Sequence, residues 1–420
     1  RQWKIDTRVG IMTDYTESAI AAGFSPDRLA CIAPGMQRYI DEDRVTGFSM
    51  MVARRGQLVY REQIGWMDVA AKKPVADDTI YRIYSMTKPV VCTALMTLFE
   101  EGRLQISDPV AKYLPAFAGI KVQQGGGEVA AARPPTVRSL LTHTSGLSYD
   151  YLEDFPVAEQ YRQAGICANA SRTLEQMIAE LARFPLAYQP ETRWHYGLGI
   201  DVAAHLVEVI AEVSLSQFLQ QRIFAPLGMA DTAFRVPQEQ QHRLAQMYGL
   251  GDFTAETTSV MNAREAPGSG IWPLDVSATY PIDDGNFARG GHGLYSTLDD
   301  YFRFAQMLLN GGELDGTRII GRKTLELMHA NHLSLDLLPL VNNGVPNPGY
   351  GFGLGSRVLL DVAATGLPGS VGEYGWAGAA RTYYWVDPHE EIVGLMMAQK
   401  KGIDAPQRDY IALVYQALVD

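Results

Sequence analysis

Cysteine is scarce in this sequence. Cys31, Cys92 and Cys167 are the three in 420 residues, and they are scattered. That is too few and too dispersed for a disulfide framework or a zinc knuckle, and it suits buried thiols in a reducing compartment. Long apolar runs are missing too. The strongest, Val90 to Phe99, is interrupted by Thr93 and Thr97. A membrane span needs roughly 20 such residues. No charged-apolar-small leader opens the chain, so a cytoplasmic protein is expected, with a removed export leader as the alternative. Positive charge is in deficit, with 36 Lys and Arg against 47 Asp and Glu and a net charge of -11. Nucleic acid and anionic membranes would be repelled, so neither is an expected partner. Lysine is the scarcest cation, nine against 27 Arg. No Gly-x-Ser-x-Gly elbow, phosphate loop or dinucleotide fingerprint occurs, and no cofactor is expected. His329 and His332 lack a carboxylate at ligand spacing, so no metal is expected either.

What is present is a globular composition, 47% hydrophobic and 20% charged. The length suits two domains or one large discontinuous one. Near the start, Phe48 to Val52 and Gln57 to Gly65 are strand-prone runs around Arg54-Arg55-Gly56, a hairpin signal. Near the end, Ala380 to Val386 and Ile392 to Gln399 flank a second turn. Helical spacing marks Pro26 to Glu42, with Ser25 as N-cap, and Ala405 to Val419. Between the ends the period is helical, at Val90 to Glu101, Thr173 to Phe184, Ile200 to Glu212, Leu215 to Phe224 and Leu298 to Leu309. Residues 249–291 read as long loop. The expectation is an α/β domain from residues 1–102 and 288–420, with a mostly helical domain, 103–287, inserted.

Three constellations could carry chemistry. In Ser85-Met86-Thr87-Lys88-Pro89, Pro89 forces a helix to begin close by, because proline is tolerated only in the first turn. Ser85 then stands at the positive end of a helix, and Lys88, three residues on, shares its face. The helix beyond is apolar nearly all round, which implies burial, and a buried amine sheds its proton more easily. Ser-x-x-Lys is a short motif with a high chance rate, and an N-cap serine before a solvated lysine is its plain reading. This match is the only one in the chain and sits on its most apolar helix. Second, Trp194-His195-Tyr196-Gly197-Leu198-Gly199 precedes an amphipathic helix. Tyr196 reads either as a packing aromatic or as a proton shuttle beside a lysine. Third, Gly375-Trp376-Ala377-Gly378-Ala379 precedes a strong strand. Small residues let the backbone approach a ligand, or merely turn. Leu140 to Leu147, compact and polar, reads as a structural turn near the site.

Taken in order, Ser85 to Lys88, Leu141-Thr142-His143-Thr144-Ser145-Gly146-Leu147, Tyr196-Gly197-Leu198, Gly290 to Ser296 and Trp376-Ala377-Gly378 resemble the serine β-lactamase-like superfamily. The match is on the class C and penicillin-binding protein side, nearest the family VIII carboxylesterases. The resemblance implies a β-lactamase/transpeptidase-like α/β (α+β) fold, an antiparallel sheet flanked by helices with a helical insertion. It implies Ser85 as acylated nucleophile, Lys88 and Tyr196 as bases, and the N–H groups of Ser85 and Ala379 as oxyanion hole. Substrate would meet Trp376, Gly378, Leu198 and Arg381. Class C β-lactamases carry Asn where Leu198 stands and Lys where Trp376 stands. Apolar groups at both places favour small neutral esters with short acyl chains over anionic β-lactams. Arg381 could restore some positive charge. The alternatives are a β-lactamase, D-alanyl peptidase or acyltransferase using the same acyl-enzyme, and a non-catalytic acyl-binding sensor module.

Overall fold

The structure, a computed structural model, describes residues 15–152, 156–249, 271–342, 344–402 and 405–420. Its elements follow the local chemistry closely. Helix α1 (Ile32–Asp41) precedes strands β1 (Gly47–Arg54), β2 (Gln57–Asp68) and β3 (Lys73–Pro74). Helices α2 (Thr87–Glu100), α3 (Val137–Leu141), α4 (Gly199–Ala211) and α5 (Leu298–Leu309) come next. The chain closes with β4 (Tyr350–Phe352), β5 (Arg357–Leu359), β6 (Tyr374–Gly378), β7 (Thr382–Asp387), β8 (Ile392–Met397) and α6 (Pro406–Tyr415).

One eight-stranded sheet runs β4-β5-β6-β7-β8-β1-β2-β3. Its neighbours all pair antiparallel, and strands from the two chain ends join where Ser49 faces Met397. The β1–β2 turn is Arg55-Gly56, with φ of 48° and 66°. Positive φ at both central residues matches the twist of a hairpin.

Strand β1 is buried along its whole length because helices cover both faces. Its side chains alternate accordingly. Met51 and Ala53 enter a core shared with α2, α4 and α5. Phe48, Met50 and Val52 enter a second core with Ile32, Met36, Tyr410 and Val414 from α1 and α6. Each such side chain, fully buried, contributes about 1.5–3 kcal/mol. The first core extends without a break from β1 into Leu206, Val207 and Phe218 of the middle region.

Three expectations are corrected. The helix placed at Pro26 to Glu42 is two, Pro26–Leu29 and Ile32–Asp41. Pro34 has no N–H for the Ala30 carbonyl and its ring crowds that oxygen. Ser25 does cap the first piece, accepting from the Arg28 N–H. The helix expected at Leu215 to Phe224 is α-helical to Leu219 and then widens to a π turn, Gln220–Phe224. Pro226, which cannot donate to Arg222, removes the bond that a regular helix needs there. The strand expected from Ala380 begins at Thr382, because Arg381 closes a turn onto the Gly378 carbonyl at 3.1 Å. Of the long loop at 249–291, residues 250–270 lie outside the described residues, and 271–291 hold no named helix or strand. Among the described residues no single helix is long and apolar enough to cross a membrane.

Candidate active site

Ser85 lies in a tight turn, Tyr84–Met86, that runs straight into α2. The turn is held in an uncommon shape. Tyr84 takes φ of 44° and packs its ring on Tyr280, centroids 4.9 Å apart. A left-handed non-glycine residue beside a reactive group is a familiar form of stored backbone strain. Tyr301 adds a bond from its hydroxyl to the Met86 carbonyl at 2.8 Å.

Lys88 is the second residue of α2 and has no solvent exposure. Its Nζ donates to Ser85 Oγ at 3.0 Å and to the Gly291 carbonyl at 2.6 Å. Tyr196 reaches the Ser85 oxygen too, its hydroxyl donating to Oγ at 2.8 Å. Lys88 Nζ also stands 4.6 Å from the Tyr196 ring centroid. Three residues drawn from two distant segments therefore converge on one oxygen.

Tyr196 is aimed by the segment read from sequence as a turn. The His195 N–H donates to the His143 carbonyl at 2.8 Å, the Gly197 N–H to His143 Nδ1 at 3.4 Å, and the Leu198 N–H to the Ser148 carbonyl at 3.2 Å. The His143 ring lies 4.6 Å from that of Tyr196. Gly197 is required here, since a Cβ would fall 2.2 Å from the Leu147 carbonyl oxygen. His143 is 1% exposed, and burial first, then the Lys88 charge, hold its imidazole well below the usual 6.5. Sequence reading missed this clamp, though the compact polar run around His143 was its signal. It also missed Asp201, whose signal was a lone carboxylate in the first turn of an apolar helix.

The end of β6 abuts the Ser85 turn. Thr382 Oγ1 donates to the Ile83 carbonyl at 3.1 Å, and a Cβ on Gly378 would lie 2.3 Å from the same carbonyl oxygen. Ala379 follows directly. Trp376 turns its indole to Tyr196, Nε1–H donating to the phenolic oxygen at 3.4 Å, and meets Phe352 edge-on at 5.2 Å.

None of the four expected substrate contacts, Leu198, Arg381, Trp376 and Gly378, lines the pocket beside Ser85. Leu198 caps the start of α4 with 0% exposure, so its side chain is core and offers no surface to a ligand. Arg381 sits in the β6–β7 turn with φ of 66° and does not line the pocket beside Ser85.

That pocket holds about 390 Å³ of space open to solvent and is lined by Tyr84, Ser85, Tyr149, Tyr151, Gly291 and His292, with Cys167 and Thr279. None of these is a carboxylate, Lys or Arg. Burial keeps the Tyr149 and Tyr151 phenols protonated by raising them well above 10.0. Burial, then the charges of Arg289 and Lys88, push His292 down to about 3. The pocket wall is therefore neutral around pH 7, which disfavours an anionic group that would lose its water. Among the described residues no group of three His, Cys, Asp or Glu side chains could hold a metal ion.

The chain is similar to several known proteins. Protein Rv1367c of Mycobacterium tuberculosis is 33% identical over 86% of this chain and 87% of its own. Esterase EstB of Burkholderia gladioli is 30% identical over 82% and 84%. The solved structure of "EstCE1, a hydrolase with promiscuous acyltransferase activity" superposes with a TM-score of 0.77 at 26% identity, covering 96% of this chain and all of that one. The family model described as Beta-lactamase matches residues 30–417. With that span, a large antiparallel sheet between helices and a serine at the start of the buried helix, the chain belongs to the β-lactamase family of serine hydrolases.

Proposed function

We propose that this protein is a carboxylesterase of the family VIII type, acting on small neutral esters with short acyl chains through an acyl-enzyme on Ser85. The observation that carries the reading is the double contact on Ser85 Oγ, from Lys88 Nζ at 3.0 Å and the Tyr196 hydroxyl at 2.8 Å. A serine hydroxyl is a weak nucleophile until a neighbouring base takes its proton, and two candidates lie in reach.

In this reading Ser85 Oγ attacks the ester carbonyl while its proton passes to the Lys88–Tyr196 pair. In this reading the negative oxygen of the tetrahedral intermediate is held by the N–H groups of Ser85 and Ala379. The C–O bond to the alcohol breaks, and the leaving oxygen takes a proton from Tyr196. Water then attacks the acyl carbon, giving its proton back to the same pair, and Ser85 departs with its hydrogen restored.

The substrate class rests on the neutral wall and on Trp376, which puts an apolar face where a lysine would attract a carboxylate. The esterase name of EstB supports the reaction. Acyl transfer to an alcohol instead of water is the second reading, supported by the similarity to EstCE1, a hydrolase with promiscuous acyltransferase activity. Hydrolysis of a short p-nitrophenyl ester tests the proposal. Ser85→Ala should lose about 10³-fold or more in kcat, and a serine-directed phosphonate should add one adduct to the wild type only. Undiminished ester turnover by the variant would sink it.

A further inference from the structure

Asp201 is a buried carboxylate that the chemistry above leaves unused. It stands in the first turn of α4 with 0% exposure. Its Oδ1 accepts the Gly291 N–H at 2.9 Å, while its buried Oδ2 has no hydrogen-bond partner among the described residues. A glycine pair has no side chains to pack, so such bonds are what hold its backbone in place. The carbonyl of the same Gly291 accepts from Lys88 Nζ at 2.6 Å. The space around it is full, since a Cβ on Gly291 would lie 2.4 Å from Asp201 Oδ2 and 2.8 Å from the Tyr149 hydroxyl. Asp201 and Lys88 make no ion pair within 4.0 Å; the link runs through the glycine.

We propose that Asp201 is a positioning residue for the Ser85 reaction. It anchors Gly290-Gly291 so that the Gly291 carbonyl holds Lys88 against Ser85, and it supplies the counter-charge to Lys88 in an enclosed site. This rests on the reading of Lys88 as a base. A carboxylate so deeply enclosed is costly unless neighbours favour its charge. Burial raises the Asp201 carboxyl above the usual 3.8, and the Gly291 N–H, Lys88, Arg289 and the Gly290 N–H oppose it only in part. The other ionisable groups around the pair are neutral. Burial holds His143 and His292 unprotonated, and it holds Tyr149, Tyr151, Cys167 and Cys92 protonated. An ionised Asp201 is the counter-charge that the proposal assigns to Lys88.

Two variants test this, with ester kcat, KM, pH profile and thermal midpoint as readouts. Asp201→Asn keeps an oxygen for the Gly291 N–H but drops the charge. It should fold, and the acidic limb of kcat/KM should move about one unit to lower pH, because removing an anion favours loss of a proton nearby. Asp201→Ala also loses the anchor, and kcat should fall about 10²-fold with KM little changed. Recovery of most of that loss by the Asn variant is part of the expectation. A purely structural Asp201 would lower the thermal midpoint of both variants and leave the limb where it was, which overturns the proposal. An active Ser85→Ala would overturn the reading of the site itself; an inactive Ser85→Ala with an unmoved Asp201→Asn limb overturns the Asp201 role alone.

Discussion

Trp376 lies against Tyr196, ring centroids 5.6 Å apart, with the indole N–H directed at the phenolic oxygen that touches Ser85. One of the two residues that depart from the lactamase pattern is thus also a partner of the proposed base. Trp376→Phe keeps the apolar wall and removes the donor. Loss of one neutral hydrogen bond is worth about 1 kcal/mol, so ester kcat/KM should fall roughly fivefold. Trp376→Lys should raise the ratio of cephalosporin to ester turnover, measured side by side. An unchanged ratio would remove Trp376 from the account of substrate choice.

Gly378 sets how closely β6 approaches the Ser85 turn. Its missing Cβ would sit 2.1 Å from Thr382 Oγ1 and 2.3 Å from the Ile83 oxygen. Gly378→Ala must push the strand end away from the turn. Overpacking of this kind costs about 1–3 kcal/mol, visible in urea unfolding. Ester kcat should drop more than stability alone explains, since Ala379 moves with the strand.

Leu198→Asn restores the residue of the lactamase pattern, but at a place with no exposure. An amide enclosed there without partners costs about 1–3 kcal/mol. The expected result is a lower thermal midpoint with no gain in cephalosporin hydrolysis. A clear gain would show that the loop opens to substrate.

His143 ties stability to pH. Folded, its imidazole is pushed well below the usual 6.5 by burial. Unfolded, it binds a proton below about 6.5, so acid favours the unfolded chain. Its contribution is complete above that value and is lost as the pH falls below it. His143→Asn deletes the titration. Between about pH 7.5 and pH 5 the variant should lose less unfolding free energy than the wild type. Equal losses in urea titrations at the two values would show that His143 does not set this dependence.

Local patterns in the sequence were enough for the elements. The strand-prone run Phe48 to Val52, the Arg55-Gly56 turn and the apolar run after Pro89 are short-range properties, and the structure keeps all three. The same locality placed Ser85 and Lys88 together, because residues three apart at a helix start must share a face. Where an expected helix was interrupted, a proline had overridden the period, as at Pro34 and Pro226.

Tertiary structure alone decided the rest. Periodicity says which face of a segment is apolar, never which partner covers it. The meeting of β1 with β8, of Tyr196 with Ser85 across 111 residues, and of Trp376 with Tyr196 across 180 depends on sheet order and helix packing. The rotation of α4 is the sharpest case. It turns Leu198 into the core and Asp201 toward Gly291. A residue's chemistry is written in the sequence, but whether it faces a substrate, a core or a lysine is settled only when the helix that carries it finds its neighbours.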